Sequence, residues 1–212
     1  RTAADVERCW QTLGGRPLLA EKFVRFEREV SIIAARSAAG EIRCYPLAEN
    51  THEDGILRLS RIPANVPDSL QRQAEMHIAK VMEKLDYVGV LTIEFFVVSG
   101  EIGAELLTNE MAPRVHNSGH WTIEGAHTSQ FENHIRAVAG LPLGDTTARG
   151  PAAMINLIGR VIPATEVLKV PNAHPHLYDK EERPGRKVGH ITVVGRSTHE
   201  VQFSIDQLAT LR

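Results

Sequence analysis

Two periods of apolar residues run through this chain, one helical and one extended. Leu70, Ala74, Ile78, Val81 and Leu85 recur at spacings of 4, 4, 3 and 4, the buried stripe of an amphipathic helix entered through Pro67-Asp68-Ser69. Ser129 and Glu132 have capping-box spacing ahead of Ile135, Val138 and Ala139, and Gly140 closes that second helix. A short helix is predicted over residues 3–13, stopped by Gly14-Gly15, and a last one over 199–211 with Val201, Ile205, Leu208 and Leu211 on one face. The extended pattern predicts a strand over 18–24 and a hairpin of 29–36 and 41–45 joined by Ser37-Ala38-Ala39-Gly40. Strands follow at 87–98, almost wholly apolar and so buried, and at 104–111. Three more short ones are read at 152–158, 175–178 and 188–194. Residues 48–63 read as a long polar loop. The Pro-, Gly- and Thr-rich stretch 141–150 divides the chain into residues 1–141 and 142–212. The class is α+β.

Composition narrows the function without naming it. With 212 residues, 24 Lys plus Arg and 26 Asp plus Glu, the formal charge is −2. That balance lacks the basic excess of a nucleic-acid binder. No apolar stretch approaches the roughly 20 residues needed to span a bilayer. Two cysteines, Cys9 and Cys44, cannot build a disulfide framework or a zinc cage, and they suit a reducing cytoplasm. The chain begins at Arg1 without a signal-peptide pattern, which reads as a piece of a longer protein.

Three clusters carry candidate chemistry. Glu94 lies in the apolar run Thr92-Ile93-Glu94-Phe95-Phe96, and Glu110 ends the next strand in Thr108-Asn109-Glu110. A hairpin centred near Ile102 sets the two carboxylates opposite each other, a destabilising pair unless something positive joins them. A Mg²⁺ ion shared with phosphate oxygens does so, and a nearby Arg or Lys is the plainer alternative. The second cluster is the loop Pro113-Arg114-Val115-His116-Asn117-Ser118-Gly119-His120-Trp121, dense in donors for a small anion. His116 and His120, like His174 and His176, have metal-like spacing but lack a third soft ligand, so zinc is a weak reading. The third cluster, Tyr178 to His190, holds Lys180, Arg183, Arg186 and Lys187 around Pro184-Gly185. It reads either as solvated surface or as a phosphate clamp. The nucleophile elbow, dinucleotide fingerprint and P-loop are all missing.

Together these segments resemble the ATP-grasp ligases, and more narrowly the 5-(carboxyamino)imidazole ribonucleotide synthase family. The runs Asn-Glu-Met-Ala-Pro-Arg-Val-His-Asn-Ser-Gly-His-Trp (109–121) and Arg-Pro-Gly-Arg-Lys-Val-Gly-His (183–190) carry the likeness, supported by 45–50, 52–58 and 154–159. The resemblance implies an ATP-grasp second subdomain, an antiparallel sheet with helices, followed by a small β-rich C-terminal domain that contributes to the substrate phosphate site. It implies ATP and Mg²⁺ as cofactors, with Mn²⁺ as an alternative ion. Glu21, Lys22, Phe23 and Val24 then match the hinge that reads adenine, Glu29 the ribose contact, and His52 a position near the nucleotide. Glu94 and Glu110 match the metal carboxylates, with Asn109 beside them. Arg114, His116 and Asn117 match the residues around bicarbonate and the aminoimidazole, and Ser118-Gly119-His120 completes that loop. Lys180, Arg186 and Lys187 match the clamp on the ribonucleotide 5′-phosphate.

The implied reaction is ATP-dependent carboxylation of 5-aminoimidazole ribonucleotide through carboxyphosphate, in a cytoplasmic homodimer of de novo purine synthesis. The Gly-rich nucleotide loop that precedes this region in such ligases is not in the chain, so this piece is expected to be inactive alone. The strand-connecting loop 99–103 reads as a few residues longer than usual. Rival readings are another carboxylating or amine-ligating ATP-grasp enzyme, a non-catalytic module that kept the fold, and a histidine-rich metal store.

Overall fold

The computed structural model describes residues 2–14, 17–100 and 103–211. Its elements in order are α1 (Ala3–Leu13), β1 (Arg28–Arg36), β2 (Ile42–Cys44), β3 (Ala48–Glu53), β4 (Ile56–Ile62), α2 (Asp68–Lys84), β5 (Gly89–Gly100) and β6 (Gly103–Ala112). A 3-10 turn at Asn117–Gly119 follows, then α3 (Thr122–Gly125), α4 (Gln130–Val138), β7 (Ala152–Ile158), α5 (Ala164–Val167), β8 (Ala173–Leu177), β9 (Lys187–Val194) and α6 (Thr198–Ala209). Among the described residues nine strands form one antiparallel sheet in the order β6-β5-β1-β3-β4-β7-β9-β8, with β2 paired to the far end of β1. The α+β expectation holds. The sheet passes through the 141–150 stretch without a break, because Leu59–Ile62 of β4 pair with Ala152–Ile155 of β7.

Each face of this sheet has its own cover. On β1 the side chains of Val30, Ile32 and Ala34 meet Leu91, Ile93 and Phe95 of β5 beneath α2, which buries Leu70, Ala74, Ile78 and Met82. Ile33 and Ala35 face the other way, onto Tyr45, Trp121 and Ala137. A third core joins β7 and β9 to α5 and α6. Among the described residues no helix is long and apolar enough to cross a membrane.

Four expectations need correction. Residues 17–26 form no regular structure, and Leu19 is 84% exposed. The β1–β5 ladder begins at Arg28↔Val97, with the Glu27 N–H also bonded to the Val97 carbonyl, and regular structure starts there. The stretch 48–63 is not a loop but the hairpin β3–β4. Its turn is Asp54-Gly55, both with positive φ (50° and 73°), the pair that a tight hairpin demands. On α2 the inward residue of the last turn is Met82, whereas Leu85 caps the helix and is 56% exposed.

On α4 the predicted apolar face looks outward. Ile135 and Val138 are more than half exposed, while Gln130, Asn133 and Ala137 are buried. The helix is held inward by its amides: Gln130 bonds the backbone of His116 at both N–H and carbonyl, and Asn133 bonds Gly144 and the Tyr45 hydroxyl. Ser129 caps it through the Glu132 N–H as expected, but the Glu132 carboxylate turns to Arg136 instead of closing the box.

Ile78 has no exposed surface at the centre of the α2 interface, so Ile78→Ala should lower unfolding free energy by about 2–5 kcal/mol in urea titration. Met76→Ala, on the solvent side of the same helix, should change it by less than about 0.5 kcal/mol. Equal losses at the two positions would contradict this packing of α2.

Candidate active site

The alternation of β1 that sends Ile33 and Ala35 into one core also aligns Glu29 and Ser31 on the same face, nearer the strand's start. Across the ladders Ser31 stands opposite Glu94, Glu29 opposite Asn50, and Asn50 opposite Ser60. One end of this sheet face is therefore apolar and closed by Trp121, and the other is a row of polar groups.

A β-bulge completes the row. From Gly100↔Gly103 back to Phe95↔Thr108 the β5–β6 register is regular, and continuing it would set Asn109 opposite Glu94. The register shifts between Glu94 and Phe95, so that Glu110 takes that place. The expected facing of Glu94 and Glu110 is thus found, delivered by the bulge; Glu101 and Ile102, where the hairpin was centred, lie outside the described residues.

The two carboxylates differ in setting. Glu94 has a side chain 13% exposed and Glu110 one 59% exposed. Burial, the facing Glu110 and then Glu29 push the Glu94 carboxyl above its usual range, with His52 acting the other way. His116 Nε2 lies 3.8 Å from Glu94 Oε1 and 3.9 Å from Glu110 Oε1, too far for a hydrogen bond. Burial first, then Arg114 and Lys187, lower the His116 pKa to about 4, so this ring is neutral near pH 7. One ligand atom from each of Glu94, Glu110 and His116 falls within a 4.8 Å span. Two hard carboxylates facing across a ladder fit a divalent cation, which removes their repulsion. They border a cavity of about 360 Å³ lined also by Glu29, His52, Asn109, His116 and Asn117, and His52 Nδ1 is hydrogen-bonded to Glu29.

The second and third clusters meet at Asn117, on the wall of this cavity. Lys187, at the start of β9, donates from Nζ to Asn117 Oδ1. Burial, and then Lys180, lower its ammonium pKa to about 7. Lys180 and Lys187 lie 5.2 and 5.4 Å from the Tyr178 ring centre, so that ring brings both ammonium groups together. Arg114 is exposed, with Nη1 bonded to the Val115 carbonyl, and Arg186 closes a turn onto Arg183 through its backbone. Ser118 is fully buried and its hydroxyl is taken by Ser31 and His116. Glu21, Lys22, Phe23 and Val24 lie in the irregular segment before β1, with Phe23 58% exposed.

Three further histidines, His120, His176 and His190, pack together beside Lys187. His176 stacks on His190 at 4.3 Å and bonds Glu124 at 2.8 Å, and Tyr178 Oη lies 2.6 Å from His190 Nδ1. His120 packs on His190 at 5.0 Å, and burial, followed by Lys187, lowers its pKa to about 3. Neither the His116/His120 pair nor the His174/His176 pair is gathered with further ligands; among the described residues the only such group is Glu94, Glu110 and His116.

Sequence reasoning missed Ser31, Asn50, Ser60 and Gln130, all buried. A polar residue between valine and isoleucine in Val30-Ser31-Ile32 was a readable signal. Asn50 and Ser60 lie in a stretch whose polar sequence reads as a loop.

Comparison with known proteins shows which families the chain resembles. The sequence model of the ATP-grasp domain matches residues 1–131, and that of the phosphoribosylaminoimidazole carboxylase C-terminal domain matches residues 152–203. The chain is 53% identical over 211 residues to N5-carboxyaminoimidazole ribonucleotide synthase of Pseudomonas aeruginosa, covering all of this chain and 57% of that protein. Its identity to the Escherichia coli protein of the same name is 45% over 193 residues, covering 91% and 53%. The chain therefore spans little more than half the length of these relatives. The crystal structure of the Thermus thermophilus synthetase superposes with a TM-score of 0.93 at 57% identity, over 100% of this chain and 58% of that one. The Aspergillus clavatus synthase in complex with ADP and 5-aminoimidazole ribonucleotide gives a TM-score of 0.89 at 36% identity, over 98% and 58%.

A buried ammonium costs stability while it is charged. The Lys187 pKa falls from 10.5 unfolded to about 7 folded, so the cost is full below pH 7 and is relieved as pH rises from about 7 to 10.5. Between those limits the unfolded chain binds more protons, and stability contributed by this group rises with pH. Urea midpoints of wild type and Lys187→Met should therefore converge, in favour of wild type, between about pH 6 and pH 9.5. A gap that does not change with pH would remove the buried-ammonium assignment.

Proposed function

The chain belongs to the ATP-grasp family, and we propose that it carries the metal, bicarbonate and ribonucleotide-phosphate side of a 5-(carboxyamino)imidazole ribonucleotide synthase active site. The observation that carries this is that two sequence clusters line one cavity, Glu94 facing Glu110 with His116 and Asn117, and that a third is joined to its wall by the bond from Lys187 to Asn117. The reaction proposed is ATP- and bicarbonate-dependent carboxylation of 5-aminoimidazole ribonucleotide, with carboxyphosphate as the intermediate. The complex of the Aspergillus relative with ADP and 5-aminoimidazole ribonucleotide supports it.

The roles follow from chemistry. Glu94 and Glu110 hold Mg²⁺, which supplies charge neutralisation to the transferring phosphoryl group; Mn²⁺ fits the same oxygen donors. Asn109, set aside by the bulge, offers an amide oxygen at the rim. Glu29, braced by His52, accepts from ribose hydroxyls, and Glu21, Lys22, Phe23 and Val24 present backbone to the adenine edge. Arg114 and neutral His116 donate to the bicarbonate and carboxyphosphate oxygens, and Asn117 orients Lys187 towards them. With a pKa near neutrality, Lys187 can hold a proton against the anion or take one from the attacking amine. Lys180 and Arg186 bind the 5′-phosphate. Closure around this group keeps water from carboxyphosphate.

The working units proposed are residues 1–141, an ATP-grasp portion, and 142–212, a small C-terminal portion that supplies Lys180, Arg186 and Lys187. A cytoplasmic homodimer is proposed with them. Neither cysteine is in a disulfide, and Ile135, Val138 and Leu141 stand in solvent as an apolar stripe, which supports association.

Two measurements test this reading. Calorimetric titration with Mg²⁺ and ADP should show binding that Glu110→Gln abolishes, with the melting temperature unchanged within a few degrees. In a protein that releases ADP from ATP, Mg²⁺ and bicarbonate, release should depend on 5-aminoimidazole ribonucleotide, and Glu110→Gln should reduce it at least about 100-fold. ADP release indifferent to the ribonucleotide would point to another acceptor and overturn the substrate assignment.

A further inference from the structure

Four side chains that take no part in the proposed contacts with substrate run in file from β4 to His116. Ser60 Oγ donates to Asn50 Oδ1 at 2.7 Å, Asn50 Nδ2 donates to Ser31 Oγ at 3.0 Å, and Ser31 Oγ donates to Ser118 Oγ at 2.8 Å. Ser118 Oγ lies 2.9 Å from His116 Nδ1. Ser60 and Ser118 have no exposed surface, Ser31 is 1% exposed and Asn50 6%. The file is buried. A file in which the Ser31 and Ser118 hydroxyls each accept from one neighbour and donate to the other has one of two polarities.

The polarity is settled at the His116 end. The backbone N–H of Ser118, a first-turn donor of the 3-10 helix, is directed at His116 Nδ1 at 3.4 Å. An N–H cannot accept, so Nδ1 must present its lone pair. The Ser118 hydroxyl is then free to donate to the same nitrogen, Ser31 to Ser118, Asn50 to Ser31 and Ser60 to Asn50. Reversed, the file would need a proton on Nδ1, pointed at an N–H. An imidazole whose Nδ1 presents its lone pair carries its proton on Nε2.

We propose that Ser60, Asn50, Ser31 and Ser118 are positioning residues that lock His116 in its Nε2–H tautomer, making it a hydrogen-bond donor to the reacting anion and excluding it from the metal. A protonated Nε2 has no lone pair for a cation, although it lies 3.8 and 3.9 Å from the two carboxylates. The cation is left to oxygen donors alone, which selects hard ions over zinc. Ser118, matched by resemblance to a substrate contact, acts instead through the ring of His116. The inference rests on the proposed role of His116 at the anion, but the tautomer can be read without any turnover.

The test is long-range proton–nitrogen NMR on the ¹⁵N-labelled chain, with His116→Gln identifying the His116 signals. Wild type should show His116 as pure Nε2–H, with Nδ1 at the unprotonated position. Ser118→Ala should bring an Nδ1–H population into view, and Ser31→Ala, a smaller perturbation further back, should do so to a lesser extent. If Ser118→Ala fails to fold, Ser31→Ala carries the same comparison. An Nδ1–H ring in wild type would overturn the proposal and return His116 to the ligand set. A pure Nε2–H ring retained in folded variants would also overturn it, by showing that the backbone N–H suffices. Failure of ribonucleotide-dependent ADP release with the tautomer as stated would instead count against the substrate reading alone.

Discussion

The two-residue alternation of a single antiparallel sheet is the constraint on which this molecule depends. A strand cannot turn one side chain without turning all of them, so β1 delivers Val30, Ile32 and Ala34 to α2 only by committing Glu29, Ser31, Ile33 and Ala35 to the opposite face. Along that face the strand changes character halfway. Its far half packs on Tyr45 and Trp121 and stiffens the sheet, and its near half carries the polar row. The rigid core and the candidate site are thus two ends of one surface, and the precision of the second derives from the packing of the first.

Alternation alone would have missed its target by one residue. The bulge beside Glu94 corrects the register and sets Glu110, not Asn109, across from it. The resulting like-charge pair is held among neutral groups. His116, His120 and His190 are all kept uncharged by burial, and the ammonium of Lys187 is weakened by the same cause. The cavity therefore presents three carboxylates, Glu29, Glu94 and Glu110, beside a neutral His116 that does not compete with a cation for them.

Much of this was legible in the amino-acid order, for reasons that differ by element. Strongly periodic segments such as 70–82 and 89–98 announced themselves because burial there is apolar. The facing glutamates were legible because a carboxylate inside an apolar strand needs a reason. The β3–β4 hairpin was not, since its inward positions are Ala48 and Asn50 followed by His52, and a buried asparagine looks like a loop residue until its partners are known. Only Asp54-Gly55 betrayed the turn. On α4 the same inversion operates: amides face in, and apolar side chains face out. In both cases a tertiary hydrogen bond overrode the local hydrophobic pattern. The site residues that escaped notice are those that such bonds bury.

The pairing of β4 with β7 bears on how the two regions of the chain can be inherited. If the second region were lost, the Leu59–Ile62 edge of β4 would become an open rim of unpaired backbone. Such a rim invites pairing with other chains. The C-terminal region is accordingly a seal as much as a source of cations, and neither region can be exchanged for a foreign module that does not supply a matching strand. A break of the backbone within 141–150 is a different matter: the ladder would still clasp the two pieces together.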